Sequence, residues 1–232
     1  YQLIGRHRFT SMPNPDLAVA VLGAGANTGL AVASGLRQSG QQVVEIDDRA
    51  LDSGAAIAAA IRDASPGGVT AVVDAGFLAT SPAICTLART DAETWLRQAE
   101  VPLRRALHVL QGAHACLRDN GGRIVVLLPS LVMSDAAEVV AWASAAEGYR
   151  SLAKAAARAW GGDGIVIKSV LVPVSLTTDT AVDRPGLQPP ALGRPPTLES
   201  DIAPAVAALL DERLDVVTGL TVAVDGGIWM TS

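Results

Sequence analysis

A chain of 232 residues is long enough to bury one sizeable α/β core. Half of it is hydrophobic but only 3% is aromatic, so the core must be built from Ala, Val, Leu and Ile; a formal net charge of −5 with no basic block argues against nucleic acid as a partner. Cys85 and Cys116 are too few for a disulfide framework and stand in no metal-type cluster, no apolar run reaches the roughly 18 residues of a membrane span, and no signal-peptide pattern opens the chain, so no membrane association and a cytoplasmic location are expected.

Tyr1–Asp16 lacks a clean period and reads as an N-terminal extension, with Met12 a candidate start; 17–232 reads as one domain. Leu17–Leu22 is a short apolar run, followed by Gly23-Ala-Gly25-Ala-Asn27-Thr-Gly29. Leu30, Ala33 and Leu36 then recur at helical spacing, and Gln42–Ile46 is a second apolar run that ends in Asp47-Asp48. Strand, glycine turn, helix, strand and acid form the first half of a dinucleotide-binding unit. Glycines permit a tight turn and close approach to a pyrophosphate, and a helix N-terminus offers free N–H groups and partial positive charge. Asp47 or Asp48, about 20 residues beyond the turn, is placed to accept from adenine-ribose hydroxyls and would repel a 2′-phosphate, favouring NAD over NADP. The competing reading is that these glycines serve only helix–sheet packing.

After Asp48 the link is very short. Arg49–Ser53 is read as one brief strand and Gly54–Ala64 as an alanine-rich helix stopped by Pro66-Gly67-Gly68. Val69–Asp74 is the next strand, closing in Asp74-Ala75-Gly76. Thr90-Asp-Ala-Glu93 has the form of a capping box, starting a helix that runs to Leu117 with a bend at Pro102. Arg123–Leu128 is an apolar strand ending in Pro129-Ser130, and Ala136–Trp160 a long helix dense in small residues. Ile165–Pro173 is a strand, Val174–Pro196 a proline-rich flap, Glu199–Leu210 a helix and Leu220–Val224 a final strand. Strands alternating with helices predict a doubly wound, mostly parallel sheet, a Rossmann arrangement in a single α/β domain.

These residues resemble the short-chain dehydrogenase/reductase family over roughly Leu17 to Met230. Gly23…Gly29 sits where that family has Thr-Gly-x-x-x-Gly-x-Gly, with Leu22 for the threonine and Asn27 for the middle glycine. Asp74-Ala75-Gly76 is similar to the end of its Asn-Asn-Ala-Gly motif. Gly121-Gly-Arg-Ile-Val125 is similar to the strand that leads to its serine. Ala191-Leu-Gly-Arg-Pro195, Glu199–Ala203 and Val217-Thr-Gly219…Val224-Asp-Gly-Gly227 match its C-terminal segments. The short link after Asp48 resembles the compact bacterial hydroxysteroid-dehydrogenase-like branch. The resemblance implies NAD as the cofactor, contacted at Gly23, Gly25, Asn27, Gly29, Asp47, Asp74, Ala75, Gly76 and Pro173.

It also implies hydride transfer aided by a tyrosine, a lysine four residues on, a serine and an asparagine. Counting back from Trp160-Gly-Gly-Asp-Gly164, the tyrosine position falls on Trp142 and the lysine position on Ala146; the asparagine position falls on Pro102, and only Ser130 remains near its place. Indole has no proton that titrates near neutrality, and a methyl group can neither shift a neighbour's pKa nor hold a ribose. Loss of general acid–base help alone costs about 10²–10⁴-fold. Tyr149 and Lys154 are a poor substitute pair: five residues apart, they point about 140° apart around a helix, and they are read as surface or interface residues.

The sequence therefore predicts a non-catalytic subunit in a homo- or hetero-oligomer, a dimer or tetramer with a related active subunit, assembled through Ala92–Leu117, Ala136–Trp160 and the tail with Trp229 and Met230. Such pairs of an intact and a degenerate subunit occur in the family, for example among hydroxyacyl-CoA dehydrogenases of aromatic degradation. Two readings compete with it. One is an NAD(P)-dependent oxidoreductase acting on a ketone, an alcohol or a 3-oxoacyl/3-hydroxyacyl thioester through an unusual proton donor. The other is an NAD-binding sensor without turnover.

Overall fold

The computed structural model describes residues 18–133, 137–177 and 189–230. The N-terminal extension, the predicted helix start at Ala136 and the middle of the flap lie outside the described residues. Among the described residues there are six strands: β1 (Ala18–Leu22), β2 (Val43–Ile46), β3 (Val69–Asp74), β4 (Gly122–Pro129), β5 (Ile165–Val172) and β6 (Thr221–Ala223). They form one parallel sheet in the order β2-β1-β3-β4-β5-β6. The inner strands are near-continuous apolar runs because both faces are covered; β1 and β5 are buried along their whole length, whereas the edge strands β2 and β6 are only partly so.

Helix α1 (Asn27–Gln38) and helix α6 (Ala203–Leu209) cover one face, where Val32, Ala33, Leu36, Ile202, Val206 and Leu209 pack on Val19, Val21, Val73 and Val170. Helices α2 (Gly54–Ala64), α4 (Val101–Leu117) and α5 (Val140–Trp160) cover the other, with Ile57, Ile61, Val109, Leu110, Trp142 and Tyr149 among its buried residues. The short α3 (Ala92–Trp95) leads into α4. The chain runs outward from β1 to β2 and returns to β3 on the other side of β1, so the strand order reverses there. Leu22 pairs with Ile46 on one side and Asp74 on the other. The segments after them, Gly23–Gly29, Asp47–Arg49 and Ala75-Gly76, therefore emerge together at the carboxyl edge of the sheet, the place where open α/β sheets take ligands.

The structure corrects three local expectations. Arg49–Ser53 is a turn, closed by the Leu51 N–H on the Asp48 carbonyl at 3.0 Å, and its last residue Ser53 caps α2 through the Ala56 N–H. The helix after Thr90 is capped one residue later, by Asp91, which accepts from the Thr94 N–H at 2.7 Å. In place of the expected bend at Pro102 there is a widened helical turn over Leu96–Glu100, just before proline's missing N–H interrupts the ladder. The small residues of α5 face mostly inward: Ala141, Ala143, Ala145, Ala146, Ala153, Ala156 and Ala157 are buried within the chain. They let α5 lie close to the sheet and to α4, where a Cβ on Gly148 would come within 3.0 Å of Leu103.

Leu22, at the family's threonine position, is wholly buried in the apolar layer beside Ile46. Leu22→Thr would remove methyl groups from that layer and put a hydroxyl in their place. It is expected to lower stability by about 2–4 kcal/mol in urea unfolding; an unchanged midpoint would show that this end of β1 is not close-packed.

Candidate functional site

The glycine turn is packed from below. A Cβ on Gly23, whose φ is +86°, would lie within 2.5 Å of the Gly76 backbone nitrogen, and one on Gly29 would collide with the Gly23 carbonyl. Gly25 differs: a Cβ there would meet only side chains, Asp47 and Arg49. Those two are exposed and paired, with Arg49 Nε 2.8 Å from Asp47 Oδ1 and Nη2 2.6 Å from Oδ2. The hydrogen bond from Arg49 draws the Asp47 carboxyl down to about 2. Asn27 is exposed at the first turn of α1, and Ala26 before it offers no side-chain cap.

Asp48, next in sequence, faces inward. Successive residues of an extended segment point to opposite sides, and Asp48 is only 3% exposed. Its Oδ1 accepts the Gly23 N–H at 2.8 Å and its Oδ2 pairs with Arg105 Nη2. The same guanidinium, reaching from α4, makes two bonds to Asp74, Nη2 to Oδ1 at 2.7 Å and Nη1 to Oδ2 at 3.0 Å. Asp74 is wholly buried and also accepts from the Gly76 N–H at 2.9 Å and the Tyr149 hydroxyl at 2.8 Å. A Cβ on Gly76 would collide with the guanidinium.

Burial sets the protonation behaviour of this cluster, and charge modulates it. Burial pushes the Asp48 carboxyl up, with Asp74 adding to the rise and Arg105 opposing it; the net shift is upward. Burial would raise Asp74 too, but Arg105, the Gly76 N–H and the Tyr149 hydroxyl more than offset it and hold Asp74 below the ordinary carboxylate range. Burial and then the Asp74 charge push the Tyr149 phenol well above its usual value. For Arg105, burial is outweighed by the two carboxylates, which keep it protonated.

The sequence reading made Tyr149 a surface or interface residue, and that is corrected: it is wholly buried within the chain. Trp142, Ala146, Tyr149 and Ala153 are all buried, at spacings of four, three and four, and form one inward stripe of α5. Lys154 is exposed, so the structure does not bring Tyr149 and Lys154 together. Trp142 is 1% exposed; its indole N–H donates to Thr80 Oγ1 at 2.7 Å and its ring packs tilted on Phe77 at 5.6 Å between centroids. Ala146 and Pro102 are buried. Ser130 is 2% exposed at the end of β4, and Pro173 is buried after β5, its carbonyl accepting the Leu176 N–H at 2.9 Å. Ala75 is buried, its N–H donating to the Leu22 carbonyl at 3.1 Å. Both oxygens of the Asp74 carboxylate are thus engaged within the chain, by Arg105, the Gly76 N–H and the Tyr149 hydroxyl.

Sequence reasoning missed Arg105 altogether. The available signal was a charged residue on the buried side of α4, one position before the buried Ala106 and four before Val109.

Residues 4–229 match a family model described as enoyl-(acyl carrier protein) reductase. No curated protein matches the chain. Among solved structures, acetoin dehydrogenase YohF from Salmonella typhimurium is similar with a TM-score of 0.71 and 20% identity, over 91% of this chain and 97% of that one. At that identity the likeness is one of fold.

The cluster predicts a stability profile with opposed limbs. Asp48, raised in the folded state, is penalised while ionised; the penalty is relieved as pH falls through its folded pKa. Asp74, lowered in the folded state, contributes stability that is present above the ordinary carboxyl value of about 4 and is lost as pH falls further. Denaturant midpoints across that range should rise slightly on mild acidification and then drop, and Asp48→Asn should abolish the rise. Arg105→Met, which strands two buried carboxylates, should cost about 3–5 kcal/mol; a loss under about 1 kcal/mol would mean the pair is solvated.

Proposed function

The chain belongs to the short-chain dehydrogenase/reductase family, and from that membership we propose that it is a subunit that does not itself carry out the family's hydride transfer but assembles with a related subunit that does. The observation that carries this reading is the pair at the positions assigned by resemblance to tyrosine and lysine. Trp142 spends its one polar hydrogen on Thr80, and Ala146 contributes only a buried methyl group. The nearest phenol, Tyr149, is wholly buried, bound to Asp74 and strongly resistant to ionisation. A proton donor must be within hydrogen-bond reach of the reacting oxygen, and its pKa must suit the working pH. Tyr149 satisfies neither condition.

The two ends of the crevice differ in how they suit a dinucleotide. The adenosine end keeps features that fit one: Gly25, covered on its Cβ side by the side chains of Asp47 and Arg49, and the exposed Asp47 carboxylate. The nicotinamide end does not fit, since an indole packed on Phe77 takes up space and no amine is present at position 146 to hold a ribose. Assembly is supported by apolar side chains left in water on α4 and the segment before it, with Trp95, Leu96, Val101 and Leu107 each 38–51% exposed.

The test is co-expression with an intact family member encoded beside this chain. The two should co-purify in equal amounts, and the partner should lose activity or stability when made alone. The purified chain should not accelerate NADH oxidation by ketones or acyl-CoA thioesters above buffer. Sustained turnover by the chain on its own would overturn the reading, as would a partner equally stable and active without it.

A further inference from the structure

Beneath the glycine turn the chain buries more negative charge than positive. The Asp48 and Asp74 carboxylates, 3% and 0% exposed, share the single guanidinium of Arg105. Tyr149, the fourth member, is neutral, so one negative charge is left without a partner. The carboxylate of Asp48 also holds the Gly23 N–H at 2.8 Å, so an internal anion already occupies one backbone donor of the turn. A pyrophosphate arriving at the carboxyl edge of β1 and β3 would meet the same turn carrying two further negative charges.

We propose that Asp48 is the turn's own anion, a built-in competitor that weakens binding of phosphate-bearing dinucleotides while it is ionised and admits them when it is neutral. The inference rests on the crevice being a dinucleotide site and is independent of whether the chain has turnover. The groups facing Asp48 are the Gly23 N–H from the β1 turn, Asp74 from β3 and Arg105 from α4, with Tyr149 of α5 reaching it through Asp74. On its own segment lie Asp47 and Arg49, exposed and paired to each other. Of these, Arg105 stays protonated and Tyr149 stays neutral, while Asp47, at about 2, and Asp74, held low, stay ionised through the mildly acidic range. Asp48, raised by burial, is the group left to titrate. A unit charge near a phosphate at a partly buried site changes affinity by about tenfold.

The probe is ADP-ribose, which carries the adenosine and pyrophosphate but lacks the nicotinamide, so the space filled by Trp142 does not matter. Calorimetric titration of the full chain should show binding that tightens, by up to about tenfold, as the pH is lowered from about 8 and Asp48 takes up its proton. Asp48→Asn, which keeps a carbonyl for the Gly23 N–H, should bind tightly with no pH dependence, and Asp47→Asn should retain the wild-type pH dependence. If Asp48→Asn does not fold, carboxyl NMR of the wild-type chain decides instead: ADP-ribose should raise the pKa of Asp48, because coupling between proton and ligand is reciprocal. Affinity independent of pH in the wild type, an unmoved Asp48 pKa on ligand addition, or no binding of ADP-ribose at any pH would each overturn the proposal. None of these outcomes bears on turnover, which the co-expression test addresses separately.

Discussion

A single guanidinium ties together the carboxyl ends of three strands. Arg105 reaches from α4 to Asp48 beyond β2 and Asp74 at the end of β3, and Asp48 in turn holds Gly23 at the end of β1. Buried ion pairs are weak evidence for net stability, because desolvation consumes much of the attraction, but stranding one partner is costly. The arrangement is therefore specific more than it is strong, since each partner must be in place for the others to be tolerated. It also governs the backbone around it. Gly76 lies against the guanidinium and Gly23 lies against Gly76, so a side chain at either would displace the next layer. Two of the glycines in the turn, Gly23 and Gly29, thus lie against backbone, whereas a Cβ on Gly25 would meet the movable side chains of Asp47 and Arg49.

The second organising feature is the inward stripe of α5. Trp142, Ala146, Tyr149 and Ala153 lie along one line of the helix, and the polar atoms on it are satisfied from within, the indole by Thr80 and the phenol by Asp74. A buried donor without a partner would be costly, so these bonds are what permit two large polar-tipped rings to sit in an alanine-rich core. The same bonds underlie the proposal that neither ring takes part in hydride transfer. An N–H already given to Thr80 and an O–H already given to a buried carboxylate have no further hydrogen to offer a substrate.

Much of the fold was legible because it rests on local period and punctuation. Gly54–Ala64 and Val69–Asp74 follow from an alanine-rich run stopped by Pro66-Gly67-Gly68 and an apolar run ending in acid, and the structure gives both the same bounds. The charge cluster was not legible, since its bonds join residues 25, 31 and 75 positions apart and no spacing rule spans such distances. The choice between Asp47 and Asp48 was ambiguous for a related reason: adjacent residues of an extended segment face opposite ways, and sequence alone does not say which faces in. Tyr149 was misplaced because it was compared only with Lys154. Its spacing of seven from Trp142 puts it on the same helix face, and that spacing was visible in the sequence.

Trp142, Ala146 and Pro102 have a property in common. Active sites hold polar groups in unfavourable surroundings, and that arrangement costs stability. At all three positions assigned by resemblance to the reaction, this chain carries a residue that packs: a ring against Phe77, a methyl group in the core and a proline that starts a helix. A buried amine carries a desolvation penalty that a methyl group does not. Under the proposed reading, a position that does not have to move a proton is free to take a residue that packs, which lowers the free energy of the folded chain. Fold-level likeness to a dehydrogenase and the subunit role proposed above are therefore compatible, because a fold is held by its core and a reaction by a few side chains on which the core does not depend.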